Sequence, residues 1–212
     1  MSNSKSVNPI LFFLQESWLL MVSAVLFGVL LAALNYVWQP KIKQNEIDKF
    51  NRLAGGLLTG AVTFEPALDH PILIDTGKGK TYPVDMRKGL DASGKLVGWA
   101  FVIEGPGFAD KIKLVVGVNA AFDKMAGFGV LSSNETPGFG DKITIKDGFY
   151  QSQYIGAPVG TLTLSKTGDA KKIDDTIIAI SGATVTSEAV VKIFNTFMVP
   201  LKEKMTEVGL LK

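Results

Sequence analysis

Residues 95–133 read KLVGWAFVIEGPGFADKIKLVVGVNAAFDKMAGFGVLSS, and this stretch decides the fold. KLVGWAFVIEG, KIKLVVGVNA and MAGFGVLSS are rich in β-branched and aromatic residues, the composition of strands, and PGFAD and AFDK separate them. Upstream, TYPVDM from Thr81 reads as another strand, followed by the break RKGLDASG. Downstream, DGFYQSQYI (Asp147 to Ile155) suits a short helix, and TLTLSKTG and DDTIIAIS suit two more strands. A long helix closes the chain from about Thr186 to Met205. Its apolar stripe is Ala189, Val190, Ile193, Phe194, Phe197, Met198 and Leu201, and Pro200 is expected to kink or interrupt it. Strands first and a packing helix last give an α+β class with a mostly antiparallel sheet.

N-terminal to this domain lies a different kind of text. Trp18 to Trp38, WLLMVSAVLFGVLLAALNYVW, carries no charge and spans roughly 30 Å as a helix, the thickness of a bilayer core. Trp18 at one end and Tyr36 and Trp38 at the other match an interfacial aromatic belt. The run is long for a signal peptide, and no small-residue cleavage site follows it. The expected organisation is a short segment 1–17, a single transmembrane helix 18–38, a juxtamembrane helix and linker 39–80, and a water-soluble domain 81–212. Gln39-Pro40-Lys41 stops the span. Ile42 to Leu58 then places Ile47, Phe50, Leu53 and Leu57 at helical spacing. Lys41, Lys43, Lys49 and Arg52 follow the span against Lys5 before it, a count that favours a cytoplasmic domain.

Composition narrows the chemistry. With 212 residues, 22 Lys+Arg against 20 Asp+Glu and a net charge of +2, nothing marks a nucleic-acid partner. Cysteine is absent, which excludes disulfides, iron–sulfur clusters and thiolate zinc. The one histidine, His70 in LDHPIL, reads as a loop residue. GKGKT at 77–81 lacks the first glycine of a phosphate-binding loop and reads as a surface turn. No G-x-G-x-x-G occurs. Glu135 and Asp141 could imitate a glycosidase pair, the weakest of the functional readings.

Two segments carry more. In Ser181-Gly182-Ala183-Thr184, continued by Val185-Thr186-Ser187, a strand passes through a small-residue turn into a helix, with Thr184 or Thr186 at or near the N-cap. The first-turn amides and the dipole there favour a phosphate, and Gly182 and Ala183 admit a bulky group close to the backbone. In Glu135-Thr136-Pro137-Gly138-Phe139-Gly140-Asp141-Lys142, glycines permit tight turning and backbone amides could meet a planar polar ring.

ETPGFGDKI and ISGATVTSEAV, in this order behind one span, resemble the G subunit of the Rnf ion-translocating ferredoxin:NAD oxidoreductase. The C subunit of the sodium-translocating NADH:quinone oxidoreductase is similar and shares the SGAT element, whereas the Gly-Asp-Lys-Ile continuation looks more like the Rnf protein. The resemblance implies an electron-carrying subunit with one FMN-binding domain and one covalent FMN, joined by a phosphoester to Thr184. Ser181, Gly182 and Ala183 would form the recognition turn, and Glu135, Thr136, Pro137, Gly138 and Gly140 would contact or cover the ring. It implies a separate flavin transferase using FAD, membrane subunits of the same complex as partners, and a domain on the periplasmic side of the inner membrane. The family usually has an aspartate three residues before the serine, where this chain has Ile178. The readings of another class are an anchored sensory or scaffolding domain without flavin, and the hydrolase.

Overall fold

The computed structural model describes residues 9–77 and 79–211, so Lys5 and Lys78 lie outside the described residues. The chain divides into two units, the first running to Ile47 and the second from Asp48 to Lys212. The first is the apolar part of helix α1 (Pro9–Leu57), and in it Trp18, Leu20, Leu26, Tyr36 and Trp38 are all exposed. Among the described residues α1 is the one helix long and apolar enough to cross a membrane, and none of its most apolar window is buried. The helix continues through Pro40 into the Ile42–Leu58 stretch instead of restarting after it.

The second unit is built on a five-stranded antiparallel sheet in the order β1-β4-β5-β6-β7. Its strands are β1 (Thr63–Pro66), β4 (Arg87–Leu90), β5 (Leu96–Pro106), β6 (Lys111–Asn119) and β7 (Met125–Ser132). The short pairs β2 (Ile72–Asp75) with β3 (Thr81–Val84) and β8 (Thr163–Ser165) with β9 (Thr176–Ile178) flank it, the latter parallel. The three strands read from 95–133 are β5 to β7, joined by the turns expected, and the short helix read within Asp147 to Ile155 is the single turn α2 (Phe149–Ser152). Alternation along β5 and β6 gives both faces something to bury. Trp99, Phe101, Ile103, Ile112, Leu114, Val116 and Val118 face one core with α3 (Thr184–Glu207), while Ala100 and Val115 face another with Phe50, Ala54 and Leu58 from the end of α1.

Three local expectations are revised. RKGL, read as part of a break, is strand β4, paired to β1 and β5. Its charged residues hid it, yet Arg87 lies over the Phe50 ring at 5.1 Å and Gly89 leaves room for Leu58. β1 and β2, of four residues each, lie within 39–80, the stretch read as juxtamembrane helix and linker, after the end of α1. Pro200 does not interrupt α3, because Phe197, Met198 and Leu201 are buried on either side of it and hold the helix down. The stripe read from the sequence is the buried face of α3, extended by Met205. The turn at 77–81 closes the β2–β3 hairpin, with the Asp75 carboxylate accepting from the Gly77 amide, and His70 is exposed in a loop.

Candidate functional site

α3 begins where β9 ends, and Ser187 builds the junction. Its buried hydroxyl accepts from the Ile180 amide at 3.0 Å and donates to the Ala183 carbonyl at 3.0 Å. Tyr150, itself bonded to Tyr154, donates to the Ser187 carbonyl at 2.8 Å. Gly182 turns the chain with φ +80°, a conformation that other residues adopt only with strain. The strand before the turn is equally fixed: Gln153 accepts from the Ile178 amide and donates to its carbonyl, and the Ile178 side chain fills the space over Gly168. An apolar residue at 178 thus has a packing reason.

The N-cap of α3 is Ala183, which offers no side-chain cap, so neither threonine takes that place. Thr184 is the first helical residue, half-buried, and among the described residues its hydroxyl makes no hydrogen bond. Thr186 behaves oppositely. It is buried and donates to Glu135 Oε2 at 2.6 Å. The first-turn amides of α3 have no intrahelical acceptor.

Glu135, expected to contact or cover a ring, turns its side chain inward. It is 5% exposed, and Oε1 accepts from the amides of Phe108 at 2.8 Å and Ala109 at 3.0 Å. Its carboxylate therefore ties three segments together: the β5–β6 turn, the loop after β7 and the first turn of α3. Asp141 contributes one buried oxygen that has no hydrogen-bond partner among the described residues, in the 3₁₀ turn Gly140–Thr144. Two carboxylates in these states do not form the open acid–base pair that hydrolysis needs.

In front of this tie lies a cavity of about 280 Å3 lined by Phe108, Thr136, Phe139, Gly140, Gly182, Ala183, Thr184, Val185 and Thr186. The two stretches read as functional thus face each other across it, and Phe139 approaches within 3.4 Å of where a Cβ on Gly182 would stand. Thr136, Gly140, Gly182, Ala183 and Thr184 are brought to the cavity. Ser181, Pro137 and Gly138 are exposed outside its lining, and Glu135 sits behind it. Sequence reasoning missed Phe108 and quoted Phe139 and Val185 only as members of their stretches; the three are 63%, 54% and 55% exposed. A phenylalanine in a glycine-bearing turn between two strands, as in PGFAD, was the available signal for Phe108.

Among the described residues no charged side chain lines the cavity, so an anion there would be held by helix amides and dipole. The exposed phenyl rings offer apolar faces for a planar aromatic group. A free hydroxyl, an uncapped helix start and aromatic walls together fit a flavin phosphate attached at Thr184.

Residues 107–198 match the FMN-binding domain family. The G subunit of the ion-translocating oxidoreductase complex from Methanosarcina acetivorans is 31% identical over 90% of this chain and 92% of its own. The G subunit of the proton-translocating ferredoxin:NAD(+) oxidoreductase complex from Clostridium ljungdahlii is 29% identical over 82% and 83%. Among solved structures, Shewanella oneidensis NqrC shares the fold with TM-score 0.55 at 24% identity, covering 70% of this chain and 72% of that one. The C subunit of the Na(+)-translocating NADH-quinone reductase from Parabacteroides distasonis gives TM-score 0.51 at 17% identity, covering 76% and 94%.

Proposed function

Because the chain belongs to the family of G subunits of the ion-translocating oxidoreductase complexes, we propose that it carries electrons in such a complex through one FMN held by a phosphoester to Thr184. It is a single-pass membrane protein and one component of a multi-subunit translocase, not a complete enzyme. The observation that carries the site assignment is the contrast between the two threonines. Thr184 has a free, accessible hydroxyl at an uncapped helix start, whereas the Thr186 hydroxyl is buried and committed to Glu135.

FMN supplies electron-transfer chemistry that a chain with no cysteine and one histidine lacks. The residues present would do the rest. Thr184 tethers the phosphate, and the first-turn amides of α3 offset its charge. Gly182 and Ala183 keep the approach to the backbone open, while Phe108, Phe139 and Val185 wall the cavity on its solvent side. Thr136 and Gly140 of the 135–140 loop would then lie against the ring, with Pro137 and Gly138 forming the exposed bend of that loop. Attachment requires a separate flavin transferase acting on this chain as substrate, with FAD as donor.

We assign the domain to the periplasmic face, following the family resemblance over the lysine count. Flanking charge governs short loops, and a long folded domain crosses largely regardless of it. The direct test of function is Thr184→Ala in otherwise intact membranes. Ferredoxin-dependent reduction of NAD should be lost while the amount of the chain in the membrane stays unchanged; full activity in that variant would remove Thr184 from the electron path.

A further inference from the structure

We propose that Glu135 is the positioning residue of this cofactor seat: its buried carboxylate fixes the turn that carries Phe108 against the start of α3, without itself touching the cofactor. The inference rests on the FMN reading and deepens it. Both carboxylate oxygens are occupied, Oε1 by the Phe108 and Ala109 amides and Oε2 by the Thr186 hydroxyl. Neither is directed to the cavity, whose lining does not include Glu135.

The surrounding chain is shaped to admit this side chain. A Cβ on Gly107 would stand 2.4 Å from Oε1, and one on Gly140 would stand 2.8 Å from Oε2 and 2.6 Å from the Thr186 hydroxyl. Glycine at both positions is what lets a carboxylate occupy the junction. A carboxylate is also the group the junction calls for, since all three partners are donors and an ionised acid is an acceptor only. A glutamine would present an N–H₂ to one of them. Phe108 has little packing of its own, being 63% exposed, so its place at the cavity follows from the backbone of its turn. The turn closes on itself through the Gly107 amide to the Asp110 carbonyl at 2.8 Å, but its further side-chain tie to the loop after β7, Asn134 donating to Asp110 at 2.8 Å, is exposed.

The test uses the full chain produced with its flavin transferase and purified from membranes, as wild type and as Glu135→Ala, Glu135→Gln and Glu135→Asp. Three quantities are read: flavin per chain after denaturation, visible circular dichroism, and flavin fluorescence anisotropy in the native state. Attachment depends on Thr184, so flavin per chain should stay at the wild-type level. With the wall of its seat released, the ring should swing on its tether. Glu135→Ala should lose most of the visible dichroism, and its anisotropy should fall towards the denatured value. Glu135→Gln, which keeps the shape and one acceptor, should fall between Glu135→Ala and wild type. Glu135→Asp keeps the charge but shortens the reach, and should resemble Glu135→Ala. Should Glu135→Ala fail to fold, the glutamine and aspartate variants carry the test. Wild-type dichroism and anisotropy in every folded variant would overturn the positioning role while leaving the FMN reading intact. A wild-type chain without bound flavin would overturn both.

Discussion

Two hydroxyls two positions apart on the first turn of α3 have different surroundings. Thr186 donates a hydrogen bond to a buried carboxylate, and among the described residues the Thr184 hydroxyl makes none. The turn that presents them depends on Gly182 at φ +80°, with the Phe139 ring packed over it. Gly182→Ala should therefore destabilise the domain by about 1 kcal/mol from backbone strain alone and lower flavin loading as Phe139 is displaced, measured by denaturant unfolding and by flavin per chain. At this scale the sequence showed which residues matter better than what they do. SGAT and ETPG were visible as small-residue turns beside polar groups. The inward direction of Glu135 was not, because a loop has no repeat from which side-chain direction can be read, and its partners lie 26, 27 and 51 residues away.

At the scale of elements, periodicity was the reliable signal. The stripe on α3 follows from one face being buried and is present as read, and the β-branched and aromatic runs of 95–133 are β5 to β7. β4 escaped because its charged residues read as a break, and it is carried by pairing to β1 and β5 and by Arg87 over Phe50. The helix start leans on the tyrosine pair behind it, and this gives a pH dependence. Burial pushes the Tyr150 and Tyr154 phenols above their ordinary value, and burial with the nearby Glu104 charge takes Tyr82 from 10.0 to about 12. These groups stay neutral in the folded chain while their unfolded counterparts ionise. Their contribution to stability is whole below pH 10 and should decline as pH rises from there through 12. An alkaline melting series should show that decline, and Tyr150→Phe should cost about 1–3 kcal/mol at neutral pH by stranding the Ser187 carbonyl and the Tyr154 hydroxyl. A melting temperature flat across pH 10–12 would contradict the assignment of these phenols.

For the whole molecule, a helix whose most apolar window is unburied and a domain with two cores divide the labour between holding to a membrane and holding a cofactor. Protease added to intact spheroplasts should digest the domain and leave the span, whereas protection until lysis would place the domain in the cytoplasm. The central claim concerns one oxygen atom, and peptide-resolved mass spectrometry of the chain isolated from its own membranes reads it directly. The account predicts that the peptide containing Ser181 to Thr186 is heavier than its sequence by one FMN less one water, with the added group on Thr184. An unmodified Thr184 in chains taken from a working complex would contradict it.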